Sequence, residues 1–202
     1  MRVLFATAEL APLVKVGGLA DASAGLAGAL RSKGVDVDIV LPDYGDIPFA
    51  QADQQQLRVP EWASPATVRQ GTLGGLGVSL VTVPGMARPH PYLDAEGRGW
   101  PDNSQRFLAF SMAVAAWVKI TSPDVIHLND WHTGATLGFL DDPPPSVLTI
   151  HNLAYQGATS GDWLERFLRH PDAYDRKGKI NPLAGAITIA DRVITVSPTF
   201  AA

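Results

Sequence analysis

Short, wholly apolar runs alternate along this chain with stretches whose apolar residues recur every three or four positions. Residues 2–8 (RVLFATA) are one such run, and its length and apolar, β-branched content predict a strand buried on both faces. From Gly18 the period changes: Leu19, Ala22, Leu26 and Leu30 share a face, which predicts a helix over 18–33 closed by Gly34. A strand follows from Val35 to Leu41 and ends at Pro42. Strands near 66–72 and 77–83 flank Leu73-Gly74-Gly75-Leu76, so these glycines are predicted as hairpin-turn residues rather than a phosphate loop. After a Pro-, Gly- and His-containing loop, Phe107, Phe110, Ala113, Val114 and Trp117 predict a helix over 103–121, with Asp102, Asn103 and Arg106 capping and anchoring it. Strands at Val125–Leu128, Val147–Ile150 and Val193–Val196 alternate with helices at 133–140 and 182–190.

That alternation predicts an α/β fold: a doubly wound, mainly parallel Rossmann-like sheet with a β-hairpin insertion. The run Pro143-Pro144-Pro145 reads as a rigid connector, so residues 1–202 are expected to form one domain. Ser197-Pro198 reads as an N-cap and first helical residue, which suggests a protein interrupted at the start of a helix.

Composition narrows the partners. Of the 202 residues 46% are hydrophobic, enough for a sizeable core, while 16 basic against 20 acidic residues give a charge of −4 with no basic block. Nucleic acid and anionic membrane are therefore not expected as partners. The sequence has no cysteine, which excludes disulfides and thiolate metal sites. With no signal-like start and no apolar run of bilayer length, a soluble cytoplasmic protein is expected.

The polar residues that remain cluster where an open parallel sheet binds ligands, beyond the carboxyl ends of its strands. Lys15-Val16-Gly17-Gly18-Leu19-Ala20-Asp21 follows the first strand, Asn129-Asp130-Trp131-His132-Thr133 follows 125–128, and His151-Asn152-Leu153-Ala154-Tyr155-Gln156-Gly157 follows 147–150. A glycine pair at a strand-to-helix junction lets backbone N–H groups approach an anion, and Lys15 adds a cation. The spacing is not the G-x-G-x-x-G of dinucleotide sites. His127, His132 and His151 with Asp130 match no closed zinc pattern, so no metal is expected, and no G-x-S-x-G elbow is present. Asp21 and Asp130 are the candidate pair for glycoside hydrolysis, but the sequence does not fix their separation.

Taken together, KVGGLAD at 15–21, D-W-H at 130–132 and HNLAYQG at 151–157 resemble the N-terminal half of the bacterial glycogen synthases, the starch synthase catalytic domain. PDNSQRF at 101–107 and ADRVITVSPTFA at 190–201 extend the likeness over almost the whole chain. The resemblance implies a two-domain GT-B glucosyltransferase that moves glucose from ADP-glucose to the non-reducing end of an α-1,4-glucan with retention, using no cofactor. Its nucleotide pocket would lie mostly on a C-terminal domain absent from this chain, so the chain alone is expected to be inactive. It could self-associate through the exposed cleft face.

By the resemblance, Lys15, Gly17 and Gly18 meet the donor's diphosphate and His151 meets the transferring glucose. Asp21 and Tyr92 lie in the cleft, and Asp130 and His132 shape it. Asn152 and Tyr155 either bind ligand or brace their loop, and Trp131 packs. Leu183-Ala184-Gly185-Ala186 stands where the family often has Leu-Lys-Ala-Gly, and the loops near 46–56 and 157–180 are compact, which bears on acceptor contacts. Two other readings stay open: a GT-B enzyme using a UDP-sugar or a small acceptor, and a non-catalytic glucan-binding module.

Overall fold

The computed structural model describes residues 1–45, 47 and 53–197. Its strands and α-helices run β1 (Arg2–Ala6), α1 (Gly18–Ser32), β2 (Asp36–Pro42), β3 (Asp53–Gln56), β4 (Thr67–Leu73), β5 (Leu76–Thr82), α2 (Asn103–Thr121), β6 (Val125–Asn129) and α3 (Trp131–Gly134). Then come β7 (Ser146–Ile150), β8 (Thr159–Ser160), α4 (Pro171–Tyr174), β9 (Lys179–Ile180), α5 (Pro182–Ile189) and β10 (Arg192–Thr195). Eight strands form one sheet in the order β10-β7-β6-β1-β2-β5-β4-β3, while β8 and β9 pair apart from it. From β10 to β5 the strands are parallel, and β4 and β3 extend that edge by antiparallel pairing. The mainly parallel α/β sheet with a hairpin is thus observed as expected.

The pleat explains why the strands are apolar throughout. Phe5, Val37, Ile39, Val78 and Leu80 point to one face, where Ala27 of α1 packs with Leu26 and Leu30 beside it. Leu4, Ala6, Val40, Ile126 and Leu128 point to the other, under α2 and α5. Helix α1 ends in a Schellman motif: Gly34 N–H donates to Arg31 O (2.8 Å) and Val35 N–H to Leu30 O (3.1 Å), with Gly34 at φ +82°. Gly74 and Gly75 at φ +55° and +80° make the tight turn between β4 and β5 that a right-twisted hairpin prefers.

Helix α2 has the predicted bounds but not the predicted one-sidedness. Every side chain from Arg106 to Ala115 is buried, because α2 is sandwiched between the sheet and a second layer made of α3 and the 3₁₀ turns at Glu61–Ala63 and Ala135–Phe139. Asp102 does not cap it through its side chain; it pairs with Arg88 instead (2.6 Å). Arg106 anchors by reaching back to the loop before the helix, donating to Met86 O (3.3 Å) and Pro91 O (2.6 Å). With Asn103 Nδ2 donating to Tyr92 O (2.8 Å), the helix fixes the segment that carries Tyr92.

The helix expected at 133–140 is one α-turn, α3, followed by a 3₁₀ segment. Its glycines explain the tightening, since a Cβ on Gly134 would crowd the Pro182 backbone and one on Gly138 would overlap the Phe167 ring. The pairings of β3, β8 and β9 were not foreseen. Of the two loops read as compact, 46–56 lies partly outside the described residues and ends in β3, and 157–180 carries β8, α4 and β9. The expected helix start at Pro198 lies outside the described residues. Among those described, no helix is long and apolar enough to cross a membrane.

Candidate active site

Strand order reverses at β1, which has β2 on one side and β6 on the other, so the sheet opens a crevice beyond the carboxyl ends of β1 and β6. The loops after β1, β6 and β7 meet there, joined by the β5–α2 loop with Tyr92. The residue that ties the β1 loop to Tyr92 is one the sequence reading passed over. Glu9 is buried; its Oε2 accepts from Val16 N–H and Gly17 N–H (2.8 Å each), and its Oε1 accepts from the Tyr92 hydroxyl (2.9 Å). Two consecutive backbone donors converging on one anion form a small nest, occupied here by the chain's own carboxylate.

The consequence for the glycine loop is specific. The Gly17 N–H expected to face a diphosphate is held by Glu9, and the open amides are those that begin α1 at Gly18. Gly17 is extended (φ −142°), and a Cβ at either glycine would meet nothing within 4 Å among the described residues. Neither backbone conformation nor packing demands glycine here. The bare backbone therefore stands accessible from outside the described residues. Lys15 stands beside it and pairs with Asp21 at 2.8 Å, with both side chains more than half exposed. An open trough of about 830 Å³ leads from Lys15 between Leu13, Val14, Gly45 and His90.

On the β6–β7 side, Asp130 Oδ1 accepts from the backbone N–H groups of His151 (2.8 Å) and Asn152 (3.2 Å), fastening the β7 loop. Burial pushes its carboxyl up to about 6 against the pull of those two donors. His151 Nε2 lies 2.9 Å from Asn129 Oδ1, and burial lowers its pKa while the Glu9 charge opposes that shift. Asn152 Oδ1 accepts from Ala154 N–H (2.9 Å), which braces the loop, whereas Tyr155 is 67% exposed. Trp131 is buried edge-on to Phe107, and a Cβ on Gly157 would overlap its ring.

His132 lies within an aromatic cluster, with ring centroids 4.2 Å from Trp131, 4.6 Å from Phe107 and 5.1 Å from Tyr92. Its Nδ1 is buried without a hydrogen-bond partner among the described residues, and burial lowers its pKa to about 3. His127, beneath the site, is lowered to about 4 by burial and contacts Thr149 Oγ1 at 2.6 Å. Among the described residues, no group of three or more His, Cys, Asp or Glu is placed to hold a metal ion.

These groups set an acid response. An unfolded chain protonates both histidines below pH 6.5, which the native state resists until pH 4 or 3, so their contribution to stability is lost as pH falls from 6.5. Asp130 works the other way: the native state keeps a proton that the unfolded chain sheds above 3.8, so its contribution falls as pH rises to about 6. Between pH 4 and 6 two protons oppose one. Stability should rise with pH there, by about 1.4 kcal/mol per unit from these three groups. Asp130→Asn should steepen the measured dependence by about 1.4 kcal/mol per pH unit, as read from denaturant midpoints over a pH series. An unchanged slope would remove Asp130 as a buried titrating group.

The family model of the starch synthase catalytic domain matches residues 2–202. The chain belongs to that family. Among similar proteins, the glycogen synthase of Paracoccus denitrificans is 38% identical over 99% of this chain, and that of Paramagnetospirillum magneticum 38% over all of it. The chain spans only 46% and 45% of those proteins, a little under half their length. The solved catalytic domain of starch synthase IV from Arabidopsis thaliana, bound to ADP and acarbose, superposes with a TM-score of 0.80 at 32% identity, over 99% of this chain and 45% of that one. A sucrose-phosphate synthase from Thermosynechococcus elongatus shares the fold, with a TM-score of 0.53 at 16% identity. The starch synthase family membership and the mainly parallel sheet therefore agree with the resemblance read from the sequence.

Proposed function

We propose that this chain is one wall of the active-site cleft of a retaining glucosyltransferase that moves glucose from ADP-glucose to the non-reducing end of an α-1,4-glucan. The observation that carries the reading is the convergence of Lys15, the bare start of α1, Asp130 and His151 on one crevice of a starch-synthase-family domain. The solved starch synthase IV domain supports the donor, because ADP is what ADP-glucose leaves behind.

The chemistry assigns the residues as follows. A departing diphosphate gathers negative charge as the glycosidic bond breaks. Lys15 and the first amides of α1 stabilise that charge where it grows. His151 stands on a rigid mount at the end of β7 and positions the glucose. The leaving phosphate can itself take the acceptor's proton, so this wall needs no general base. Asp21, Tyr92 and His132 shape the crevice, Asn152 braces it, and Tyr155 sits at its rim. The trough beside Lys15 gives a polymer room to leave the reacting centre.

One α/β wall cannot exclude water from such a donor, whereas two facing domains can. The 202-residue chain alone is thus expected to elongate no glucan, and its exposed rim residues Val16, Leu153 and Tyr155 are available for self-association. The test is donor competition in a two-domain protein carrying this sequence, with a maltooligosaccharide primer. Elongation from ADP-glucose well above that from UDP-glucose is expected. UDP-glucose turnover without ADP-glucose turnover would overturn the donor, and glucan binding without transfer from either would leave a non-catalytic glucan-binding module.

A further inference from the structure

Asn129, the last residue of β6, is fully buried, and its position is fixed before any ligand arrives. The Thr133 hydroxyl clamps its backbone, accepting from Asn129 N–H (2.8 Å) and donating to Asn129 O (2.9 Å). Its side-chain Nδ2 donates to Ala6 O at 2.9 Å, across the β1–β6 pair. The opposite end of the amide, Oδ1, therefore faces His151 Nε2 at 2.9 Å. Turning the amide over would set Oδ1 against the Ala6 carbonyl, two acceptors with no hydrogen between them, so the orientation follows from the bonding. An amide oxygen can only accept. Nε2 must then carry the hydrogen, and in a neutral imidazole that leaves Nδ1 as a bare acceptor.

We propose that Asn129 is a positioning residue that holds His151 as the neutral Nε2–H tautomer, so that the ring offers an Nδ1 lone pair to a sugar hydroxyl. What Nδ1 meets rests on the glucosyl-transfer reading; the tautomer does not. Among the charged and titratable groups around the ring, Glu9 favours the imidazolium, and burial outweighs it. Glu9 faces it from the β1 loop, His127 lies below it on β6, and the carboxylate of Asp130 is engaged with the backbone N–H groups of His151 and Asn152 rather than with the imidazole. Asn129 supplies direction without charge. A carboxylate in its place would draw the ring toward imidazolium and remove the acceptor.

Imidazole nitrogen NMR on the uniformly ¹⁵N-labelled chain tests this directly, since there are only five histidines to assign. In the wild type, His151 should show a protonated Nε2 and an unprotonated Nδ1 at neutral pH. Asn129→Leu should yield a mixture of tautomers, and Asn129→Asp should raise the His151 titration midpoint by about 1–3 pH units. A wild-type Nδ1–H tautomer overturns the proposal even if neither variant folds, as does an unchanged tautomer in Asn129→Leu. In the two-domain protein, Asn129→Leu should lower kcat roughly tenfold with little change in donor KM. A shifted tautomer with unchanged kcat would instead overturn the role of His151 in transfer.

Discussion

Replacing Glu9 with alanine is expected to destabilise the domain by about 3 kcal/mol or more. The Val16 and Gly17 N–H groups and the Tyr92 hydroxyl would all lose their acceptor at a buried carboxylate. Each unsatisfied polar group costs about 1–3 kcal/mol, with water recovering part of it near the crevice. Glu9→Gln separates geometry from charge. A glutamine can turn its oxygen to the two amides and donate its NH₂ to the Tyr92 oxygen, leaving only the Tyr92 hydroxyl hydrogen to find a new acceptor, so its cost should stay at about 1 kcal/mol. Chemical denaturation of the three proteins gives the comparison. A Glu9→Ala cost as small as that of Glu9→Gln would mean that the carboxylate is not the strut joining the loops after β1 and β5.

Lys15→Gln should do the opposite: leave folding intact and remove turnover. The Lys15–Asp21 pair is more than half exposed on both sides, and exposed pairs contribute about 0–1 kcal/mol, so the melting temperature should barely move. On the glucosyl-transfer reading, the same change in the two-domain protein removes a cation from where leaving-group charge develops. Losses of that kind run to about 10²–10³ in kcat. Glutamine keeps much of the stem, so packing cannot account for a fall of that size. Near-normal turnover would reduce the loop to a surface turn.

The sheet was legible because its strands are buried on both faces and therefore read as unbroken apolar runs, and because the glycines at 34 and 74–75 mark real left-handed turns. The crevice was legible because parallel strands deliver their following loops to one edge. The unread parts share a cause: their partners are far away in sequence. Glu9 stands in Ala8-Glu9-Leu10 as a single acid among apolar neighbours, and its partner Tyr92 is 83 positions on. Asp53–Gln56 has no apolar period and is a strand only because β4 offers it an edge. At 133–140 the helical period was real, but Gly134 and Gly138 let α5 and Phe167 come so close that only one α-turn fits before the chain tightens. Asn129 stood in the strand-end motif, yet its role depends on the Ala6 carbonyl, which no pattern along the chain reveals.

Asp130 has φ +56° and ψ −173°, a region that side chains avoid and glycine enters freely. A search for stabilising substitutions guided by backbone geometry would choose glycine there. It would relieve local strain and, in the same step, release the two amides that fasten the His151 loop. At this one codon the backbone favours glycine while the two loop amides favour the carboxylate. An aspartate that persists through random drift under a purely thermal screen would have to be kept by its carboxylate, because its backbone gives it no advantage.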